Sequence, residues 1–141
     1  ALGIHQLASV DEFNARRIEL AALYHELFAE VPEIGRPGIP AYDHFHTWHL
    51  YVIKVLDEAG IKRDDFMAAL RARNVGTGLH FRAVHTQPYY MKKYPGVAGT
   101  LPKAEWASER ICSLPLFPEM TADDVRYVVA AIKEVLAHAR G

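Results

Sequence analysis

His46-Thr47-Trp48-His49-Leu50-Tyr51-Val52-Ile53-Lys54-Val55 is the stretch on which the fold turns. Its alternation predicts a strand, with Trp48, Leu50 and Val52 on one face and His49, Tyr51, Ile53 and Val55 on the other. Apolar residues on both faces imply an interior strand that other elements cover. Ahead of it, residues 32–40 hold three prolines and two glycines and must be a connector. Further upstream, Phe13, Leu20, Tyr24, Leu27 and Val31 recur at helical spacing, while Glu12, Arg16, Glu19, Glu26 and Glu30 mark another face. This predicts an amphipathic helix to about Val31, opened by Ser9 and Asp11 and preceded by a short helical lead-in at residues 2–8.

Downstream, residues 57–60 turn the chain. A second helix follows over 64–73, with Phe66, Met67 and Leu70 inward and Asn74 at its end. Residues 75–82 predict a short strand containing Gly76 and Gly78. Residues 83–102 are aromatic and irregular, and 103–110 predict a short helix before a strand at 111–116. Thr121 opens the last helix with Asp124 three residues on, a short-armed capping box. Its buried stripe is Val125, Val128, Val129, Ile132 and Leu136. The expected product is an α+β layer structure, with a sheet of residues 47–55, 76–82 and 111–116 and the helix at 121–138 packed on it. Trp48, Leu50, Val52, Val128, Val129 and Ile132 are its expected core.

The 141 residues are 50% hydrophobic, enough to build one domain core and too apolar for intrinsic disorder. Sixteen basic against seventeen acidic residues leave a net charge of -1, so neither nucleic acid nor an anionic membrane is an expected partner. The single cysteine, Cys112, excludes an internal disulfide and suits a reducing compartment, so the expected location is cytoplasmic. No apolar run approaches the roughly 20 residues that span a bilayer. The chain opens at Ala1 without a methionine and reads as a processed protein or a piece of a longer one.

Three constellations could carry chemistry. Of eight histidines, His44, His46 and His80 are those a metal site would use, yet no carboxylate or thiol stands near them at ligand spacing. The bland reading is that these histidines satisfy backbone groups or sit at the surface. Gly76-Thr77-Gly78 lacks the ending of a phosphate loop and opens a strand. Such glycines mark either the close approach of a backbone or ligand, or a simple bulge. Residues 82–94, with His85, Tyr89, Tyr90, Lys92, Lys93 and Tyr94, form either a ring-stacking functional loop or an amphipathic lid. No nucleophile elbow or Cys/His nucleophile pair is present, and no carboxylates are paired at an obvious catalytic spacing. A free-standing small-molecule-binding module and a metal domain built on His44, His46 and His80 are therefore both compatible with the residues alone.

Four blocks carry a resemblance. They are Asn14-Ala-Arg-Arg17 with Tyr24 beyond it; His46-Thr-Trp-His-Leu-Tyr51; Gly76-Thr-Gly-Leu-His-Phe-Arg-Ala-Val-His-Thr-Gln-Pro-Tyr-Tyr90; and Ser108-Glu-Arg-Ile-Cys-Ser-Leu-Pro-Leu-Phe-Pro-Glu-Met-Thr121. In this order they resemble the C-terminal domain of the DegT/StrS family of pyridoxal-phosphate-dependent nucleotide-sugar aminotransferases. The last two blocks are most similar to the branch making UDP-4-amino-4-deoxy-L-arabinose, the lipid A modification sugar. The resemblance implies that residues 1–141 are the small domain of a fold-type-I aminotransferase, with a short, mostly antiparallel sheet. The Schiff-base lysine and most of the phosphate cup would lie in a large domain absent here, and none of the six lysines matches the Schiff-base position. Pyridoxal phosphate is therefore not expected on this piece, which alone would be inactive. The resemblance further implies a homodimer that moves an amino group from glutamate, leaving 2-oxoglutarate, to a UDP-4-keto-pentose. It places His80 and Phe81, then His85, Tyr89 and Tyr90, near the sugar.

Overall fold

The computed structural model describes residues 2–140; Ala1 and Gly141, including the expectation attached to the first residue, lie outside the described residues. Helix α1 (Leu2–Ala8) leads into α2 (Val10–Leu27), which ends in a 3-10 turn at Phe28–Glu30. Strand β1 (Ile34–Gly35) and β2 (Tyr51–Val55) precede α3 (Arg63–Arg71). Helices α4 (Pro88–Lys93) and α5 (Pro102–Arg110) then lead to β3 (Ile111–Leu114) and α6 (Ala122–Arg140). The strands form one antiparallel sheet in the order β1-β2-β3. Its register pairs Ile34 with Val55, and Tyr51 and Ile53 with Leu114 and Cys112. The α+β expectation therefore stands.

Helix α6 follows its sequence closely. The Thr121 N–H donates to Asp124 Oδ2 at 2.7 Å and the Asp124 N–H donates to Thr121 Oγ1 at 3.1 Å, closing the capping box. Val125, Val128, Val129, Ile132 and Leu136 are all buried, facing Leu20, Tyr24 and Phe28 and the buried side chains of the sheet in one core. Removing these large side chains from water is the main source of stability. Arg16 Nη2 donates to the Met120 carbonyl at 2.7 Å, fixing the entry of α6 against α2. Arg17 Nε donates to the Thr47 carbonyl at 3.0 Å, bracing the chain ahead of β2.

The sheet departs from expectation in three ways. First, β2 starts at Tyr51, because Trp48 adopts a left-handed backbone (φ 47°) incompatible with an extended strand. The inward face is Tyr51, Ile53 and Val55, while Trp48, Leu50 and Val52 are only half-buried. Tyr51 decides the phase by stacking on Tyr24 at 4.8 Å between ring centroids. Second, residues 76–82 do not form a strand. Gly78 makes one bridge to Ser113 and the chain then leaves the sheet, with His80, Phe81 and Arg82 exposed. Third, the remaining strand comes from the proline-rich connector, as Ile34–Gly35.

Candidate functional site

The site builds outward from the bridge at Gly78. The Gly78 N–H donates to the Ser113 carbonyl at 3.0 Å and the Ser113 N–H donates back at 2.8 Å. A Cβ on Gly78 would lie 2.7 Å from Ser113 Oγ and 3.1 Å from His80 Cδ2, with His80 Nε2 closer still. The glycine is thus what lets the imidazole sit back over the bridge to Ser113. Gly76, by contrast, has nothing within 4 Å of where a Cβ would stand.

Beyond the bridge the candidates form two ring pairs. His80 meets Phe81 edge-on at 5.6 Å, and Phe81 is 79% exposed. On α4, Tyr89 and Tyr90 meet edge-on at 5.2 Å, and both are exposed. The Lys93 ammonium sits 5.7 Å from the Tyr89 ring and 5.6 Å from the Tyr94 ring. Among the described residues no ring contact joins the two pairs. His85 behaves differently: its ring is 12% exposed and donates through Nε2 to Glu105 Oε1 at 2.8 Å. The surface can therefore stack on flat rings and donate hydrogen bonds, with a cation beside it.

Next to this surface lies a cleft of about 820 Å³ between the start of α3 and α5, lined in part by Arg63, Arg82, Thr86, Glu105, Ser108 and Arg110. Buried Arg63 donates to the carbonyls of Ser108 at 3.1 Å and Ile111 at 2.7 Å, fastening α5 and β3 to α3. Arg110 pairs with Asp57 at 2.7 Å and lies 5.0 Å from the Trp106 ring. Sequence reasoning missed Arg63, Glu105 and Ser108, whose roles depend on partners distant along the chain. It also missed His25, whose Nδ1 lies 3.1 Å from Tyr51 OH inside an aromatic cluster with Trp48. Burial pushes the Tyr24 and Tyr51 hydroxyls well above the usual tyrosine range and raises the Cys112 thiol to about 12. Cys112 is thus no nucleophile at neutral pH.

The histidines of the metal reading are not gathered. His44 Nδ1 turns to the Tyr42 carbonyl at 2.9 Å, and His46 Nδ1 accepts the Trp48 N–H at 2.9 Å. Among the described residues no three His, Cys, Asp or Glu side chains stand together as metal ligands. Nor do the described residues fit pyridoxal phosphate by themselves, since Lys54 is half-buried and the other five lysines are exposed, leaving no enclosed amine to hold an aldehyde. No described helix is long and apolar enough to cross a membrane.

Comparison with known proteins adds a frame. A profile of the DegT/DnrJ/EryC1/StrS aminotransferase family matches residues 1–133. DesV of S. venezuelae, solved in complex with a ketimine intermediate, is 34% identical with a TM-score of 0.79, covering 92% of this chain and 33% of its own. The aminotransferase TlmJ of Streptoalloteichus hindustanus is 29% identical with a TM-score of 0.83, covering 99% and 36%. DesI, solved in the presence of its TDP-sugar product, is 25% identical with a TM-score of 0.82, covering 98% and 35%. The chain spans about a third of the length of these structures.

Proposed function

The chain belongs to the DegT/DnrJ/EryC1/StrS aminotransferase family, and from that membership we propose that it works as the C-terminal small domain of a nucleotide-sugar transaminase. The observation that carries this reading is the family match over residues 1–133, supported by the 34% identity to DesV. The proposed acceptor is a UDP-4-keto-pentose of the lipid A type, the donor is glutamate, and the working unit is a cytoplasmic homodimer. Support for the acceptor is the resemblance of residues 76–90 and 108–121 to that branch.

Pyridoxal phosphate, when bound, supplies the electron sink for amino transfer, and the rest of the full-length protein would hold it. The residues described here bind and orient. Phe81, Tyr89 and Tyr90 offer exposed ring faces and edges on which a nucleotide sugar can pack. His80 is exposed, and its imidazole can hydrogen-bond a sugar oxygen. Lys93 sets a positive charge beside Tyr89 and Tyr94 where a diphosphate can be held. Covering the sugar with these side chains would also exclude water from it.

The test uses the full-length enzyme, the UDP-4-keto-pentose and glutamate, with amino-sugar formation followed in single turnovers. His80→Ala is expected to slow amination on the order of 100-fold, the cost of a substrate misplaced by about 1 Å, with little change in thermal unfolding. A variant that unfolds early yet aminates at the normal rate would make His80 structural. Absence of turnover with any nucleotide-linked keto sugar would overturn the functional reading. Residues 1–141 alone should neither hold the cofactor nor turn over.

A further inference from the structure

Between Ala83 and Leu101 the chain leaves the sheet and carries the aromatic side chains of α4 to the surface. The hydrogen bonds linking this segment to side chains of α5 come from both of its ends. At the entry, the Ala83 N–H donates to Ser108 Oγ at 2.8 Å and His85 Nε2 donates to Glu105 Oε1 at 2.8 Å. At the exit, the Gly99 N–H donates to the same Glu105 oxygen at 2.8 Å. Glu105 and Ser108 lie three residues apart on α5, so one helical face grips both ends. That helix is itself fastened to the core by buried Arg63 through the Ser108 and Ile111 carbonyls.

Both bonds to Glu105 are charge-assisted, stronger than neutral ones of the same geometry. They hold its carboxyl below the usual range, the His85 bond contributing most and the Gly99 N–H next. The His85 ring, 12% exposed, is engaged inside this clamp and not offered to a ligand. The stretch between the anchored ends carries Tyr89, Tyr90 and Lys93, whose place relative to the core is set by where those ends are held.

We propose that Glu105 is a positioning residue for the keto-sugar substrate, acting through His85 and Gly99 on the α4 segment. The proposal rests on the reading that this segment faces the sugar. It gives His85 the role of a clamp member in place of a substrate contact.

The experiment uses the full-length enzyme and compares Glu105→Ala, Glu105→Gln and Tyr90→Ala with the parent. Glutamine keeps an oxygen able to accept both N–H groups without the charge; alanine removes the acceptor. Glu105→Ala is expected to raise hydrogen exchange over residues 86–98 while leaving α6 unchanged. It should raise KM for the keto sugar on the order of tenfold or more, given that misplacement by about 1 Å can cost on the order of 100-fold. Glu105→Gln, which keeps the acceptor without the charge, should recover part of both effects, which a purely electrostatic role would not allow; the unchanged α6 exchange excludes a global loss of stability. Unchanged exchange over 86–98, or increased exchange with an unchanged sugar KM while Tyr90→Ala raises that KM, would overturn the clamp. If Tyr90→Ala also leaves the sugar KM unchanged, the reading of the segment as substrate-facing fails, and the proposal falls with it.

Discussion

Replacing Gly78 by alanine separates two readings of a glycine that look identical in sequence. The new methyl would lie 2.7 Å from Ser113 Oγ, about 0.7 Å short of the 3.4 Å at which ordinary contact begins. Its clash with the His80 imidazole is tighter, and the ring end is the freer of the two neighbours. His80 must therefore swing away, and the Gly78–Ser113 bridge must absorb what remains. Overpacking of this kind costs about 1–3 kcal/mol. If His80 orients the sugar, a displacement of about 1 Å also slows amination on the order of 100-fold. The control stands two residues away. Gly76 has open space where a Cβ would stand and no positive φ, so Gly76→Ala should be neutral or stabilising by about 0.4–1 kcal/mol through the unfolded state. Single-turnover amination by the full-length enzyme, with thermal unfolding of both variants alongside, reads both effects. Gly78→Ala with the parent's rate and stability would refute the close-approach argument, as would equal damage from Gly76→Ala.

The remaining predictions concern the scaffold. Ile132 is fully buried, so Ile132→Ala should lose about 2–5 kcal/mol in denaturant unfolding; a loss within about 0.5 kcal/mol would contradict the packing of α6. Bonds from the Thr121 backbone and side chain hold the Asp124 carboxyl below its ordinary range. The cap's contribution is therefore present above the unfolded value and lost as pH falls through the folded one; Asp124→Asn should flatten that acid-side loss in a pH series of melting curves. Cys112, buried with its thiol raised to about 12, should resist alkylation at neutral pH until the chain unfolds, and rapid labelling of the native protein would contradict its burial.

Apart from α4 (Pro88–Lys93), which lies in a stretch read as irregular because its six residues carry no apolar period, the helices were legible because their signal is local. Val125, Val128, Val129, Ile132 and Leu136 repeat at one period, and Thr121 and Asp124 supply the cap within a single turn. The phase of β2 was not, because residues 46–55 carry apolar side chains at both parities. What selects Tyr51, Ile53 and Val55 is a contact from far away in sequence, the stacking of Tyr24 on Tyr51 and the cover of α2 and α6. Strand β1 left no trace at all. Two residues inside a proline-rich connector have no periodicity, and Ile34–Gly35 becomes a strand only because Val55 and Lys54 are there to pair with it.

The same division runs through the site. Tyrosines and a histidine in a long segment point to a surface able to hold a ring, and in the structure Phe81, Tyr89 and Tyr90 are exposed. Composition cannot say which of those side chains the fold has already engaged. His85 and His80 stand five positions apart with the same chemistry. One is closed against Glu105 from twenty residues on, and the other is exposed, folded back over Gly78. Glu105 on a short helix has the sequence appearance of a solvated charge. Its two bonds, to partners six and twenty residues back, turn it into the point where both ends of the aromatic segment are held. An aromatic surface on a loop is useful for orienting a sugar only if the loop is fixed to better than about an ångström. The residues that fix it must therefore reach back to a rigid element, and here that element is α5, fastened to the core through Arg63.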